Sequence, residues 1–443
     1  MKMKILGLAV ATTLLAACGG ESDDPTTQNW QVGEVYYSYP YQGQQAVSPK
    51  TPMIIRFSHA VTVDPANVQL LKCDALGDDC DGATPVALGV PQALDGGMGV
   101  SIQPQQPLDF ATHYRLEISD LDTGNGIAAF PDGGMDFTTR LDAEGPLSAR
   151  KQTSALAISQ LIPDGDTLPF MDFSTLRLQF NQMLNTDTVV YGDTDADARI
   201  ELESQGETVP AILLVKGNAV TVDPVEDLAP GKTYTLKLTS SVRGVDDAQL
   251  TGGFERSWKA GDSRPRATLV QEVVKASEAM ADPCNQPGAL TAKLTGQAMN
   301  CVPLQSTLLG SKDATLQSGN VYAELAHLPN YPDVSPLRIA RNSLLTGSNI
   351  DVKVGGEIPA GISTGDISVT FLSDASGYLL PNPYSDDPSA PKQLRLTMDV
   401  AFDTEVQRAN GAFNQTLLQV ELVGYAIADT EQGSLIVDAV GVV

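Results

Sequence analysis

Two short runs in this chain have the spacing of a hydrolase nucleophile. Gly361-Ile362-Ser363-Thr364-Gly365 is a formal G-x-S-x-G, the pattern that places a serine on a sharp turn between a strand and a helix. Here the following residues, Asp366-Ile367-Ser368-Val369-Thr370-Phe371, alternate as a strand does, and His327, the last histidine, precedes the serine instead of following it. Ser389-Ala390-Pro391-Lys392 has the S-x-x-K spacing of a serine–lysine pair, but Pro391 bars the helical turn that would align the two side chains. The only histidines are His59, His113 and His327, far apart in sequence, and no motif draws them into a triad. The Gly361–Gly365 segment therefore reads as a glycine-rich turn.

Carboxylates and thiols offer two further chemistries. In Asp193-Thr194-Asp195-Ala196-Asp197-Ala198-Arg199-Ile200-Glu201, alternating acids could converge on a hard cation, and calcium suits oxygen ligands of this kind. Ala198 stands where an EF-hand has its turn glycine and Ser204 where it has the bidentate glutamate, so Asp193, Asp195, Asp197 and Glu201 form either a weak calcium site or a solvated acidic loop. Asp74, Asp78, Asp79 and Asp81 make a second acidic cluster. Beyond Cys18, four cysteines remain, an even number that suits two disulfides in an oxidising compartment. The sequence-local pairs are Cys73 with Cys80 and Cys284 with Cys301, although four cysteines allow three connectivities. Neither C-x₂-C spacing nor neighbouring histidines favour zinc.

At 443 residues the chain exceeds one small core and calls for three or four domains. The 54 acidic residues against 28 basic ones leave a net charge of −26. No basic stripe exists to neutralise phosphates, which excludes nucleic acid as an expected partner. Beyond the first residues no stretch approaches the roughly 20 apolar residues of a membrane helix.

The N-terminus has the layout of an export signal, with Lys2 and Lys4, then an apolar run that closes on Leu15-Ala16-Ala17-Cys18. A cysteine directly after the small-residue cleavage site resembles a bacterial lipoprotein. The resemblance implies a signal peptide over 1–17, lipidation of Cys18, a flexible tether over 18–29 opening with Gly-Gly-Glu-Ser-Asp-Asp, and membrane contact through lipid alone. Gly19 after the lipidated cysteine favours the outer membrane.

A repeat of about 120 residues covers half of the chain. Pro52-Met53-Ile54-Ile55-Arg56-Phe57-Ser58 returns as Thr175-Leu176-Arg177-Leu178-Gln179-Phe180-Asn181. Gly99-Val100-Ser101-Ile102-Gln103-Pro104 and His113-Tyr114-Arg115-Leu116-Glu117-Ile118 return as Ala219-Val220-Thr221-Val222-Asp223-Pro224 and Thr233-Tyr234-Thr235-Leu236-Lys237-Leu238. Each unit alternates apolar and polar residues between Pro, Gly, Asn and Asp, as half-buried antiparallel strands and turns do. Such a unit suits a two-sheet sandwich in which Tyr114 and Tyr234 anchor an inner face, their hydroxyls reaching a partner at the rim. These strands, and Leu228-Ala229-Pro230-Gly231-Lys232-Thr233-Tyr234 above all, resemble the bacterial Ig-like domain of the S-layer type, over 30–142 and 145–262. The resemblance implies an envelope or surface role and no catalytic residues. The first copy departs from it at Asp109-Phe110-Ala111-Thr112-His113, where the second has the Pro-Gly turn.

Residues 263–372 read as a mixed domain: an amphipathic helix from Thr268 to Met280, then strands near 321–325, 337–340, 350–354 and 367–372. Pro391–Asp399 echoes the Leu176 strand, so 373–443 reads as a partial further sandwich or as strands completing the preceding domain. The Tyr378–Asp387 run is a Pro-rich loop that reads first as a domain linker and otherwise as a loop whose exposed aromatics contact a ligand. The expected fold is thus mostly β, with tandem Ig-like sandwiches and a mainly β C-terminal region carrying one short helix. The expected function is an outer-membrane lipoprotein that acts without catalysis as a stalk, adhesin or ligand-binding module, its partner a protein or an envelope polymer. The alternatives are the non-catalytic front of a surface lipase-type hydrolase and a periplasmic accessory of an envelope assembly or transport system.

Overall fold

The structure is a computed structural model that describes residues 35–73, 80, 83–119, 121–122, 127–128, 130, 133–142, 154–192, 199–273, 292–296, 300–305, 312–355, 357–385, 387–388, 390–429 and 434–442. Its regular elements are almost all strands. In the first sandwich, Met53–Phe57 pairs antiparallel with Val35–Tyr39 and with Gly99–Ile102. The facing sheet runs Gln44–Val47, Gly134–Thr139, His113–Ile118, Val68–Lys72, Thr84–Val86. The second sandwich repeats this plan, with Leu176–Phe180 between Ile158–Ile162 and Ala219–Pro224, and Thr233–Leu238 between Arg199–Ser204 and Phe254–Lys259. Alternation decides which side chains face inward. His113–Ile118 buries Tyr114, Leu116 and Ile118 against Phe57, Leu70 and Phe137, and Thr233–Leu238 buries Tyr234, Leu236 and Leu238 against Phe180, Leu202 and Val222.

Both tyrosines do what their spacing suggests. The Tyr114 hydroxyl accepts the Asp109 N–H at 2.9 Å, and the Tyr234 hydroxyl accepts the Ala229 N–H at 2.7 Å. A buried ring thus pins the turn that leads into its own strand, as a tyrosine corner does. The bond survives in the first copy without the Pro-Gly turn.

Ten strands of the C-terminal region form one sheet with antiparallel pairing throughout. Lys312–Ala326 pairs on one side with Arg266–Val273 and Cys301–Gln305, and on the other with Ser335–Ile339 and Leu344–Gly347 laid end to end. Lys392–Thr404 pairs likewise with Ala375–Leu380 and Ile367–Phe371 on one side and with Gln415–Asp429 on the other, and Ser434–Val440 ends the sheet. The strands break along one line. Residues 340–343 and 372–374 interrupt two lanes, the register shifts between Met398 and Val400, and Asn342 and Gln419 have φ of 64° and 55°. Gly319, at φ 146°, lies on the same line, and a β-carbon there would meet the Leu344 carbonyl oxygen at 3.1 Å. Bulges and glycine kinks of this kind bend a sheet, and here they make a crease with separate apolar clusters on either side of it.

Three expectations are corrected. The helix from Thr268 to Met280 is a strand over Arg266–Val273, paired from Arg266↔Ala326 to Val273↔Gly319, with 274–280 outside the described residues. Thr268 and Val270 are β-branched, and the long partner strand outweighs a weak helical period. The α-helix among the described residues is the single turn Asn410–Phe413. The division at 372/373 falls between strands of the same sheet, so 373–443 completes the preceding domain. Tyr378 is buried within Ala375–Leu380, and Tyr384 packs on Phe130 and hydrogen-bonds Ser38, so that run joins two domains instead of exposing its aromatics.

Tyr234→Phe leaves the Ala229 N–H without its acceptor and is expected to cost about 1–2 kcal/mol. Thermal unfolding monitored by circular dichroism checks this, and Tyr114→Phe should give a loss of similar size.

Candidate functional site

Half-buried strands normally send alternate side chains to water. In both sandwiches the outward face of one sheet is instead closed off. Ile54 and Arg56 in the first, and Arg177, Thr221 and Asp223 in the second, are all at most 2% exposed. The creased sheet covers them, except that Arg56 donates to the Lys293 carbonyl outside that sheet and to Asp95 of its own domain.

Arg177 enters the crease. Its guanidinium donates to Ser376 Oγ at 2.9 Å, to the Asp374 carbonyl oxygen at 2.6 Å and to Ser373 Oγ at 3.2 Å, with Asp399 Oδ2 at 3.5 Å. Ser373 in turn donates to Asp399 at 2.5 Å, whose other oxygen accepts the Gln419 N–H at 2.8 Å. Gln419 Nε2 reaches back to the Leu178 and Val220 carbonyls at 3.1 and 3.0 Å. Beside it, Asp223 takes Thr175 Oγ1 at 2.7 Å and Arg341 Nη1 at 2.9 Å, while the Arg341 N–H binds Asp374 Oδ1 at 2.8 Å. Burial first, and then the Asp223 charge, push the Asp374 carboxyl above its ordinary value.

At the seam's outer end Arg266 and Arg338 both stack on the Phe173 ring, at 5.0 and 5.3 Å from its centroid. They share Asp227 at 2.7 and 2.5 Å, and Arg338 also holds Glu324 at 2.5 Å. Burial works to raise the Asp227 carboxyl, but hydrogen bonds from both arginines outweigh it and hold that carboxyl below its usual range.

The first sandwich docks differently, through tyrosines. Tyr36, Tyr37, Tyr39 and Tyr41 pack with Ile54, Leu294, Val423 and Tyr425. Tyr37 donates to the Val423 carbonyl at 3.2 Å, Tyr39 accepts the Val442 N–H at 3.1 Å, and Arg395 lies over Tyr41 while binding Glu421 at 2.9 Å.

Of the residues singled out from sequence, Cys73 and Cys80 form a disulfide. Their sulfurs lie close to His113 but, being oxidised, offer no thiolate to a metal. Cys301 is disulfide-bonded too, while Cys284 and Cys18 lie outside the described residues. So do Asp193, Asp195 and Asp197, whereas Glu201 sits buried in its strand opposite Lys237. Ser363 ends the strand Ile358–Ser363, and a second strand, Ile367–Phe371, follows in place of a helix, so the segment has no nucleophile-elbow geometry. Ser389 is outside the described residues, and Lys392 opens a strand. His59 Nδ1 is 3.0 Å from Ser58 Oγ, and among the described residues no carboxylate is hydrogen-bonded to His59.

Sequence patterning also misses a groove of about 390 Å³ on the second sandwich, between its outermost strands Ile158–Ile162 and Phe254–Lys259. Ile158, Leu161 and Phe254 bring half-buried apolar side chains to it, over the buried Leu156 and Leu250 and beside the polar Ser159, Gln160 and Thr251. The one charged lining residue, Arg256, is held by Asp166 at 2.8 Å. Such a surface can accept an extended apolar guest without stripping water from an unpaired charge.

Arg177→Met is expected to destabilise the chain by about 3–5 kcal/mol, because it leaves Asp399 buried and unpaired. Adding Asp399→Leu should recover part of that loss, and a double-mutant cycle in denaturant measures the coupling.

Residues 152–259 match the family model of a bacterial Ig-like domain. The chain is 33% identical over 468 residues to alkane uptake protein B of Marinobacter nauticus, an alignment that takes in 98% of this chain and 42% of that protein. It thus spans less than half the length of that relative. Two solved structures of the S-layer protein SbsC are also similar. Its N-terminal part gives a TM-score of 0.18 at 13% identity, covering 50% of this chain and 43% of that one, and its domains 1–6 give 0.19 at 11%, covering 91% and 58%. The second sandwich is therefore a bacterial Ig-like domain, and the first repeats its strand plan and tyrosine bond, so the chain carries two Ig-like domains in tandem, both docked on one C-terminal sheet.

Proposed function

We propose that this protein is a non-catalytic, lipid-anchored module of the bacterial outer membrane that serves the uptake of apolar compounds, alkanes among them. The observation that carries the reading is the 33% identity, along nearly the whole chain, to a protein named for alkane uptake. The apolar groove on the second sandwich supplies a surface suited to such a guest. Leu15-Ala16-Ala17-Cys18 supports the anchor, and Gly19 supports the outer membrane. Docking of both sandwiches on one sheet favours a preorganised binding module over an extended stalk, because loops and grooves held on fixed elements lose less freedom when they bind.

Cells lacking the protein should fail to grow on hexadecane and grow normally on acetate. Equal growth on both carbon sources with and without it would sink the reading. Replacing Ile158 and Phe254 together by Glu puts charge on the apolar lining and is expected to cut uptake of labelled hexadecane by about tenfold or more at unchanged abundance. Cys18→Ala should abolish palmitate labelling and release the protein from the membrane fraction.

A further inference from the structure

The groove between Ile158–Ile162 and Phe254–Lys259 has two unlike ends, and its two sides advance in the same direction. Leu156 bridges Leu250 in parallel at the start, while past the finish Trp258 Nε1 donates to the Asp164 carbonyl at 3.0 Å and Arg256 binds Asp166 at 2.8 Å. The start is therefore apolar, and the finish carries the one charged lining residue, Arg256. That end is built around the arginine. Its guanidinium lies 5.7 Å from the centroid of the Trp258 ring, which is itself buried and stacked on Phe170 at 5.3 Å. The turn that brings Asp166 is fixed by Asp164, whose Oδ1 accepts the N–H groups of Asp166, Thr167 and Leu168 at 3.0, 2.9 and 2.8 Å. It is fixed also by Gly165, at φ 81°, where a β-carbon would run into the Trp258 indole. The Asp164 carboxylate is taken up by its own turn, which leaves Asp166 to meet Arg256. That pair is held loosely, since the Arg256 side chain is 36% and the Asp166 side chain 81% exposed, and an ion pair so placed contributes little and opens readily.

We propose that the groove takes a long-chain carboxylate, a fatty-acid anion, with its chain along Phe254, Ile158 and Leu161 and its carboxylate on Arg256 in the place that Asp166 holds. The inference rests on the uptake reading above and narrows the guest to an amphiphile with one acidic end. An apolar lining alone rewards buried area and leaves a chain free to slide, whereas one cation at one end sets its direction and its stop. The guanidinium fork suits a carboxylate, and Asp166 shows that a carboxylate reaches it. Asp166 keeps Arg256 paired while the groove is empty. When the guest arrives, one carboxylate replaces another, and Asp166, already mostly in water, returns to water at little cost. The volume of about 390 Å³ lies at the low end of the range for small-molecule pockets, which suits a single chain better than the two of a phospholipid.

The test is equilibrium binding of labelled dodecanoate and labelled dodecan-1-ol, equal in chain length, at a pH where the acid is ionised. The protein is the full mature chain with Cys18→Ala, so that no detergent competes for the groove. Dodecanoate should bind about tenfold more tightly than the alcohol, and Arg256→Met should erase that preference. Asp166→Asn removes the resident carboxylate and should tighten dodecanoate about threefold. Equal binding of the two probes, or a preference that survives Arg256→Met, overturns the inference and leaves the uptake reading standing. A chain that binds neither probe overturns the inference and also the groove as the seat of uptake. If Arg256→Met does not fold, as judged by circular dichroism, the exposed Asp166→Asn decides alone, and an unchanged or weakened affinity for dodecanoate overturns the inference.

Discussion

The arrangement of domains depends on one guanidinium that has no access to water. Arg177 is 1% exposed, and Asp399, its counter-ion, is fully buried. A charge in that position must be met by fixed partners or the structure around it fails. The crease provides them because it is a fault in a sheet. Where the ladder is interrupted at 372–374, the Asp374 carbonyl and the Ser373 hydroxyl are free to turn toward the Ig-like domain. A regular strand would have spent that carbonyl on its neighbour. The bend that gives the sheet two apolar clusters and the site that fixes the second sandwich upon it are thus the same structural event.

The two seams secure different things. The first sandwich is held by a tyrosine-rich apolar contact, whose strength scales with buried area and is only loosely directional. The second is held largely by ion pairs and charge-assisted hydrogen bonds, which add little net stability once desolvation is counted but fail when the geometry is wrong. Asp223 illustrates this. It satisfies Thr175 in its own domain, and Arg341 and the Asp374 N–H across the seam, and a shift along the strand by one residue would strand all three.

Much of this fold could be read from the residues, and the reason is physical. The period-two strands, the paired tyrosines and the Gly-rich turns encode contacts local to each sandwich, and local contacts leave a local pattern. The seams are not local. Arg177 lies in a strand that reads as apolar inside and polar outside, and nothing within Leu176-Arg177-Leu178 distinguishes an arginine in water from one in a crease formed some 200 residues later. One signal did exist. The repeat aligns Arg177 with Ile54, and an isoleucine at an outward position is a sign that the outward face is covered. The C-terminal region is less legible for a related reason, since Arg266–Val273 becomes a strand only because Lys312–Ala326 is there to pair with it. Likewise the groove takes its lining from Leu156 through Phe254, nearly the whole length of a domain.

The charge distribution follows from the same constraint. In a chain with 54 acidic and only 28 basic residues, four arginines, Arg177, Arg266, Arg338 and Arg341, are committed to a single seam. Arginine suits that place better than lysine, because a planar fork can serve a carboxylate together with a carbonyl, as Arg177 does, or with an aromatic face, as Arg338 does. The same seam takes in six carboxylates, Asp172, Asp223, Asp227, Glu324, Asp374 and Asp399, so the acidity of the remaining surface comes from the composition of the chain, and such a surface repels its own kind at long range. Any association between copies then has to act at short range and be apolar.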